Sequence, residues 1–156
     1  MFNNRWRKVF FTLTSIVIFA GVLLVKAIEE KENRQTLRDN LAGTIAQYDN
    51  GELPCVDIPS TMNFAWDSLY VFRPYRSPDE IDSIIGRFWL GSRFTSIETN
   101  EGISLLVFTK NGRVVQYIEF TRGRGDFAYA DNGAGYAYQK SCFIKDERGY
   151  MILDNR

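Results

Sequence analysis

An uncharged apolar run near the amino terminus places the strongest constraint on what this chain can fold into. Residues 9–25, VFFTLTSIVIFAGVLLV, contain no charged residue, and their only polar members are Thr12, Thr14 and Ser15. A helix of this length spans roughly 26 Å, the short end of what crosses a bilayer. The run therefore predicts a transmembrane anchor that contacts the lipid bilayer through residues 9–25.

Basic residues next to the run predict its orientation. Arg5, Arg7 and Lys8 precede it, which favours a short cytoplasmic tail at residues 1–8. The alternative is a signal peptide cleaved near VKA at 25–27, although the lysine and the length of the apolar run both disfavour cleavage. We expect a single-pass protein of the cytoplasmic membrane, with its amino terminus inside and its C-terminal domain outside.

Residues 26–51 predict a stalk helix that leads into one domain at residues 52–156. The stalk has no proline, and its apolar stripe recurs at helical spacing through Leu37, Leu41, Ile45 and Tyr48. Such a stripe either pairs with a second copy or docks on its own domain, and its short length favours docking.

Composition excludes several kinds of site. The chain has no histidine, so Ser-His and Cys-His dyads and imidazole metal ligands are absent. Its 19 basic and 19 acidic residues give zero net charge, which argues against nucleic acid as a partner. No metal-binding or nucleotide-binding spacing occurs, so we expect no metal and no cofactor, and the chain as a whole favours a protein that is not an enzyme.

Two cysteines agree with an exported domain. Cys55 and Cys142 are the only cysteines, and an even pair in an oxidising compartment predicts a disulfide. The alternative is a pair of buried, reduced thiols.

Local patterns predict an α+β domain with a mostly antiparallel sheet and one or two helices on one side. Ser77 and Glu80 form a capping box that starts a helix ending near Gly86. Asn111-Gly112 lies between β-rich runs and predicts a hairpin. Further strands are expected in the segments LPCVDI at 53–58, DSLYVF at 67–72, FTSIE at 94–98, YQKSCFIK at 138–145 and YMILD at 150–154.

The aromatic run at residues 63–76 is the most distinctive part of the domain. Strand alternation would place Trp66 and Tyr70 on one face of a central strand, as structural residues of the core. Asp67 lies among these apolar neighbours; it either acts chemically in a desolvated setting or accepts hydrogen bonds that fix the strand end. The exit from the strand, Arg73, Tyr75 and Arg76, forms the expected exposed binding patch.

A second candidate binding element is RGRGD at residues 122–126. Arg122, Arg124 and the glycines suit an anion-binding loop, and a plain connection after a strand is the alternative. The embedded tripeptide Arg124-Gly125-Asp126 matches an integrin ligand motif, for which chance is the better account.

The motif F-x-W-D-x-x-Y-x-F-x-P-Y, from Phe64 to Tyr75, resembles one found in an uncharacterised family of small exported bacterial proteins. Many of those proteins are lipoproteins or membrane-anchored, and in them a helix, an LLVF strand with a hairpin and a GDF sequence follow the motif. This chain lacks a lipid-accepting cysteine after its apolar run. The resemblance covers roughly residues 60–145 and implies a bacterial envelope location, without an activity.

These patterns together predict a membrane-anchored extracytoplasmic binding module that recognises a protein partner through aromatic and arginine side chains, with an inhibitor or immunity-like role as one version. One alternative is a scaffold component of an envelope complex that acts partly through its transmembrane helix. The other is a small envelope enzyme that uses Asp67, which would require a second acid or base beside it.

Overall fold

A long helix leads into the folded domain. The computed structural model describes residues 4–154, with side chains from residue 17 onward. Helix α1 spans Asn4–Asp49 without a break. The chain divides into two compact units, of which one ends at Thr36 and the other begins at Leu37. The second unit therefore starts inside the predicted stalk, earlier than residue 52.

The predicted anchor is only partly covered by this description. In the part of the chain that is described, no helix combines the length and the apolar character needed to cross a membrane. The side chains of residues 9–16, which make up the first half of the predicted span, lie outside the described residues, as do those of the predicted cytoplasmic tail at 1–8. The anchor at residues 9–25 stays a prediction.

The expected α+β class is confirmed. Within residues 4–154, seven strands form two antiparallel sheets, one ordered β1-β6-β7 and the other β4-β3-β2-β5. The strands are β1 Val56–Asp57, β2 Ser68–Phe72, β3 Ile103–Lys110, β4 Arg113–Thr121, β5 Gly135–Ala137, β6 Cys142–Lys145 and β7 Met151–Leu153. The shorter helices are α2 Ile58–Thr61 and α3 Pro78–Ile85.

The predicted hairpin is present as β3 and β4. Asn111 and Gly112 both have positive φ, 51° and 67°, which matches the turn that two-residue hairpins favour. A β-bulge lies two cross-strand pairs away from Asn111-Gly112, where Val115 has no cross-strand partner. The bulge puts Val114 on the opposite face from Ile118, which unbroken alternation does not predict.

Two hydrophobic clusters cover the two faces of the four-stranded sheet. The larger cluster joins the sheet to the smaller sheet and to α1, whose Leu37, Leu41 and Ile45 are at most 1% exposed. The smaller cluster packs Ile81 and Ile85 of α3 against the other face. Helices therefore lie on both faces, whereas the sequence predicted them on one side.

Strand β2 is an interior strand, as predicted, but the alternation expected for the aromatic run is wrong. The strand begins only at Ser68, so Trp66 is not in register with Tyr70. Trp66 packs against the rings of Phe108 and Tyr138, with centroids 5.3 and 4.7 Å away, in the larger cluster. Tyr70 packs on the opposite face, against the smaller cluster.

The strand predicted at residues 94–98 is also wrong. The 3₁₀ helix Leu90–Phe94 occupies its beginning, and a turn follows it. The strand was predicted because Ile97 is apolar. Its side chain is indeed fully buried in the smaller cluster, but the residue lies in a turn and not in a strand.

The predicted disulfide between Cys55 and Cys142 is present. The two Cα atoms are 5.9 Å apart, and Cys142 lies opposite Asp57 where β1 pairs with β6. The bridge therefore joins the start of the domain to its last part across the smaller sheet.

Candidate functional site

An open groove of about 480 Å³ lies where β2 leaves the larger sheet. Most of the side chains that line it are charged or aromatic, and they come from three separate parts of the domain. The lining residues are Arg73, Pro74, Tyr75, Arg76, Glu80, Glu101, Arg122, Ala128 and Tyr129.

The turn after β2 directs Tyr75 outward. Tyr75 has φ of +68°, a conformation that is uncommon for a bulky residue and is often found at functional sites. Its backbone amide donates a hydrogen bond to the Ile97 carbonyl at 2.8 Å, which holds the turn in place. The tyrosine ring is 62% exposed and forms part of the groove wall.

Asp131 fixes the guanidinium of Arg76. The carboxylate of Asp131 is 1% exposed and accepts hydrogen bonds from Arg76 Nε at 2.9 Å and from the Arg73 amide at 3.2 Å. Glu80 accepts a longer bond from Arg76, at 3.4 Å. The hydrogen bond to Asp131 raises the pKa of Arg76, so this guanidinium is a permanent positive charge held in one orientation.

Asp126 fixes Arg122 in the same way. Arg122 donates from Nε and Nη2 to the two carboxylate oxygens of Asp126, at 2.9 and 2.7 Å. Its Nη1 donates to the Glu101 carbonyl at 2.9 Å. The paired hydrogen bonds to Asp126 raise the pKa of Arg122. Such a bidentate pair sets the plane of the guanidinium as well as its position.

Tyr75 and Glu101 form the polar edge of the groove. The Tyr75 hydroxyl donates to Glu101 Oε2 at 3.1 Å. This hydrogen bond to a carboxylate raises the pKa of Tyr75, because the charge of Glu101 disfavours a phenolate beside it. Tyr75 is therefore a neutral hydrogen-bonding group at physiological pH.

Arg73 is the arginine of the groove whose guanidinium is free to bind a partner. Its side chain has no hydrogen-bond or ion-pair partner among the described residues. Tyr129 also lines the groove; it is 56% exposed and is held by its contact with the ring of Tyr150, at a centroid distance of 4.2 Å. The groove thus offers an unpaired guanidinium together with two exposed tyrosines.

The structure brings together four of the five predicted binding residues: Arg73, Tyr75, Arg76 and Arg122. Arg124, the fifth, lies outside the groove and pairs with Asp39 at 3.2 Å. The neighbouring Gly125 is buried, and a Cβ built on it would lie 2.6 Å from Ile45 Cδ1. Since Asp126 is bound to Arg122, the tripeptide 124–126 is part of the fold and is not displayed as a ligand.

Asp67 does not have the environment expected of a catalytic acid. Its side chain is exposed, so the expectation of a desolvated carboxylate is wrong. It accepts a hydrogen bond of 2.6 Å from the Asn111 amide and a weaker one of 3.5 Å from Thr109 Oγ1. The carboxylate therefore ties the strand start to the hairpin turn, which is the structural role considered for it.

The other structural residues act as local supports. Ser77 and Glu80 form the predicted capping box, with the Ser77 amide 2.9 Å from Glu80 Oε2 and the Glu80 amide 3.3 Å from Ser77 Oγ. Hydrogen bonds from the Ser77 amide and hydroxyl lower the pKa of Glu80. The capping box starts α3 directly beside the groove. Glu80 therefore belongs both to the cap and to the residues that line the groove.

Three important residues were missed from the sequence: Glu101, Tyr129 and Asp131. Asp131 stands in the sequence ADNGAG, which reads as a turn, and its buried contact with Arg76 spans 55 positions. Glu101 lies in a turn and Tyr129 in the short 3₁₀ helix Ala128–Ala130, and neither stands in a sequence motif. The one available sequence signal was the set of arginines at 73, 76 and 122, since arginines that lie together need carboxylates nearby to pair with.

No family model matches the sequence, and no curated protein or solved structure is significantly similar to it. The resemblance carried by the motif from Phe64 to Tyr75 stays a prediction.

Proposed function

We propose that this protein is a membrane-anchored extracytoplasmic binding module that recognises a protein partner through the groove at Arg73. The observation that carries the proposal is the unpaired Arg73 guanidinium in one groove with Tyr75 and Tyr129. Two further arginines of the groove are already fixed by buried or half-buried carboxylates. Arginine and tyrosine dominate the energetics of protein interfaces because they combine rigid contact area with hydrogen bonding.

The shape and polarity of the groove favour a protein over a small molecule. Small-molecule sites are concave and mostly apolar, and they enclose most of their ligand. This groove is open to solvent, and five charged side chains line it. We expect a carboxylate of the partner, from a side chain or a chain end, to pair with Arg73 while its neighbours contact the tyrosine rings.

Two features support the proposed location. The disulfide is typical of domains that fold in an oxidising compartment. Apolar side chains in the second half of the predicted span are exposed on the helix, with Val17, Phe19 and Leu24 at 70%, 66% and 63%. A helix segment with exposed apolar side chains of this kind suits a lipid environment.

Site-specific crosslinking of the full-length chain tests the proposal. A photoreactive amino acid replaces Tyr129 in the groove or, as a control, the exposed Gln139 outside it. The chain is produced at its natural level in its own cell, and captured material is identified by mass spectrometry. We expect one reproducible partner at position 129 and none at position 139.

A charge-reversal pair sharpens this test. Arg73→Glu should reduce crosslinking from position 129 several-fold, because a carboxylate would face the acidic group of the partner. Lys140→Glu makes the same charge change at an exposed position outside the groove and should leave the yield unchanged. Crosslinks that arise only within residues 9–48 would contradict the proposal and favour a scaffold role for the helix.

A further inference from the structure

A second surface of the domain combines exposed apolar side chains with unpaired cations. In the segment 87–94, Phe88, Leu90 and Phe94 are 66%, 59% and 76% exposed. Isolated exposed apolar residues are common, but three of them within seven positions mark an interaction surface. This segment is separate from the groove, with which it shares no lining residue.

The segment is held in a fixed conformation. The Trp89 amide donates to Asp82 Oδ1 at 3.0 Å, and Arg93 forms ion pairs with Asp82 and, at 2.7 Å, with Asp79. The Trp89 indole packs edge-on against Tyr117 at 5.1 Å, in contact with the smaller cluster. The apolar side chains are therefore presented by an ordered segment that α3 and β4 support.

The end of the hairpin adds charge to the same surface. Arg87 Nη1 donates to the Gly112 carbonyl at 3.0 Å, which joins the segment to the β3–β4 turn. A hollow of about 270 Å³ between them is lined by Arg87, Phe88, Trp89, Leu90, Arg113 and Val114. Lys110 and Arg113 have no side-chain partner among residues 17–154 that the structure describes.

The local charge is opposite to that of the domain. Residues 52–156 hold 12 basic and 14 acidic residues, a net charge of −2. Residues 86–94 and 110–115 contain Arg87, Arg93, Lys110 and Arg113 and no acidic residue. Of the carboxylates nearby, Asp79 and Asp82 are engaged by Arg93, and Asp67 accepts a hydrogen bond from the Asn111 amide. Three cations therefore remain around the exposed apolar side chains.

We propose that this surface, formed by residues 87–94 and 110–113, docks on an anionic phospholipid bilayer. Aromatic and aliphatic side chains enter the interfacial region of a bilayer, while arginine and lysine next to them pair with lipid phosphates. The match rests on both parts of the surface: Phe88, Leu90 and Phe94 supply the apolar contact, and Arg87, Lys110 and Arg113 face the headgroups. The arrangement is independent of the groove and of its protein partner.

Lipid-borne quenching of a fluorophore on the full-length chain tests the docking. An environment-sensitive fluorophore is attached at Phe94→Cys or, as a control, at Gln139→Cys; the native cysteines are bridged and do not react. Each protein is reconstituted into phosphatidylcholine vesicles with or without about one third phosphatidylglycerol, with nitroxide-labelled lipid as the quencher. We expect several-fold stronger quenching at position 94 than at 139, and a blue-shifted emission, only in the anionic vesicles.

Charge reversal provides the second readout. Lys110→Glu/Arg113→Glu alters two side chains without described contacts, so the fold is expected to persist, and far-UV circular dichroism checks it. This variant should lose the extra quenching at position 94, whereas Arg73→Glu in the groove should keep it. Equal quenching at 94 and 139 in anionic vesicles would overturn the proposal. The proposal would also be overturned if the emission of the fluorophore at position 94 shifted only after a protein extract was added, and not in response to the anionic lipid.

Discussion

At the scale of single residues, the groove depends on carboxylates that hold guanidinium groups in place. Asp131 illustrates this, because its buried side chain accepts from both the Arg73 amide and Arg76 Nε. A hydrogen bond to a charged acceptor contributes about 1.5–3 kcal/mol, roughly twice as much as a neutral one. The guanidinium groups that line the groove therefore keep their orientation only while these carboxylates hold them.

Asp131→Ala should lower the free energy of unfolding by about 2 kcal/mol, since two donors lose their buried acceptor. It should also weaken crosslinking from Tyr129, because Arg76 is no longer held. Urea denaturation measures the first effect. Asn132→Ala, at the exposed neighbouring position, is the control and should change stability much less. Equal stability of the two variants would contradict the role given to Asp131.

Tyr75 offers a pH-dependent test of the groove geometry. Its pKa is raised by the hydrogen bond to Glu101, so removing that negative charge should lower the pKa toward the ordinary value of about 10. The sign follows because a phenolate forms more easily without a carboxylate beside it. Carbon-13 NMR titration of labelled tyrosine, assigned with Tyr75→Phe, should show this fall in Glu101→Gln. Glu98→Gln should leave the titration of Tyr75 unchanged.

At the scale of elements, the C-terminal part of α1 belongs to the domain. Its apolar stripe lies in the larger cluster, and Lys145 Nζ forms ion pairs of 2.6 and 2.7 Å with the carboxylate of Asp49 near the end of the helix. The Tyr48 hydroxyl also accepts from the Lys145 amide at 3.1 Å. The helix is therefore fastened to β6 as well as buried against the sheets.

Leu41→Ala should lower the free energy of unfolding by about 3 kcal/mol, because Leu41 is fully buried and its removal leaves a cavity. Gln47→Ala, exposed on the same helix, is the matched control and should stay close to the parent protein. Chemical denaturation monitored by tryptophan fluorescence compares them. A small loss for Leu41→Ala, similar to that of the control, would mean that the helix does not contribute to the domain core.

The sequence predicted those elements whose signals are local. The capping box of Ser77 and Glu80 and the turn at Asn111-Gly112 are set by residues within four positions of each other, and both are present. Trp66 was assigned to the wrong face because the start of β2 depends on pairing with β3, not on the aromatic pattern. The groove was predicted on its arginine side, whereas Glu101 and Asp131 reach it through contacts between distant segments.

At the scale of the whole molecule, two sheets of different size share one core and one covalent bridge. The smaller sheet holds only short strands, and β1 has two residues. Such a sheet is marginal without further support, and the disulfide between Cys55 and Cys142 supplies it at the β1–β6 pair. The larger cluster then joins both sheets and α1.

Replacing both cysteines by serine should lower the free energy of unfolding by about 4 kcal/mol, because a bridge across 87 positions removes much conformational freedom from the unfolded chain. Denaturation of the oxidised parent, the reduced parent and the double variant compares the three states. The reduced parent should match the variant. A reduced parent as stable as the oxidised one would contradict this assignment of stability to the bridge.

The position of the bridge along the chain also decides how the groove responds to proteolysis. Every residue that lines the groove, from Arg73 to Tyr129, lies between Cys55 and Cys142, inside one closed covalent ring. Cleavage of any one peptide bond in this ring gives two polypeptides that the disulfide still joins, and releases no fragment. After a single cut, the residues that line the groove therefore stay in one covalent molecule, and the two pieces can separate only when the disulfide is reduced.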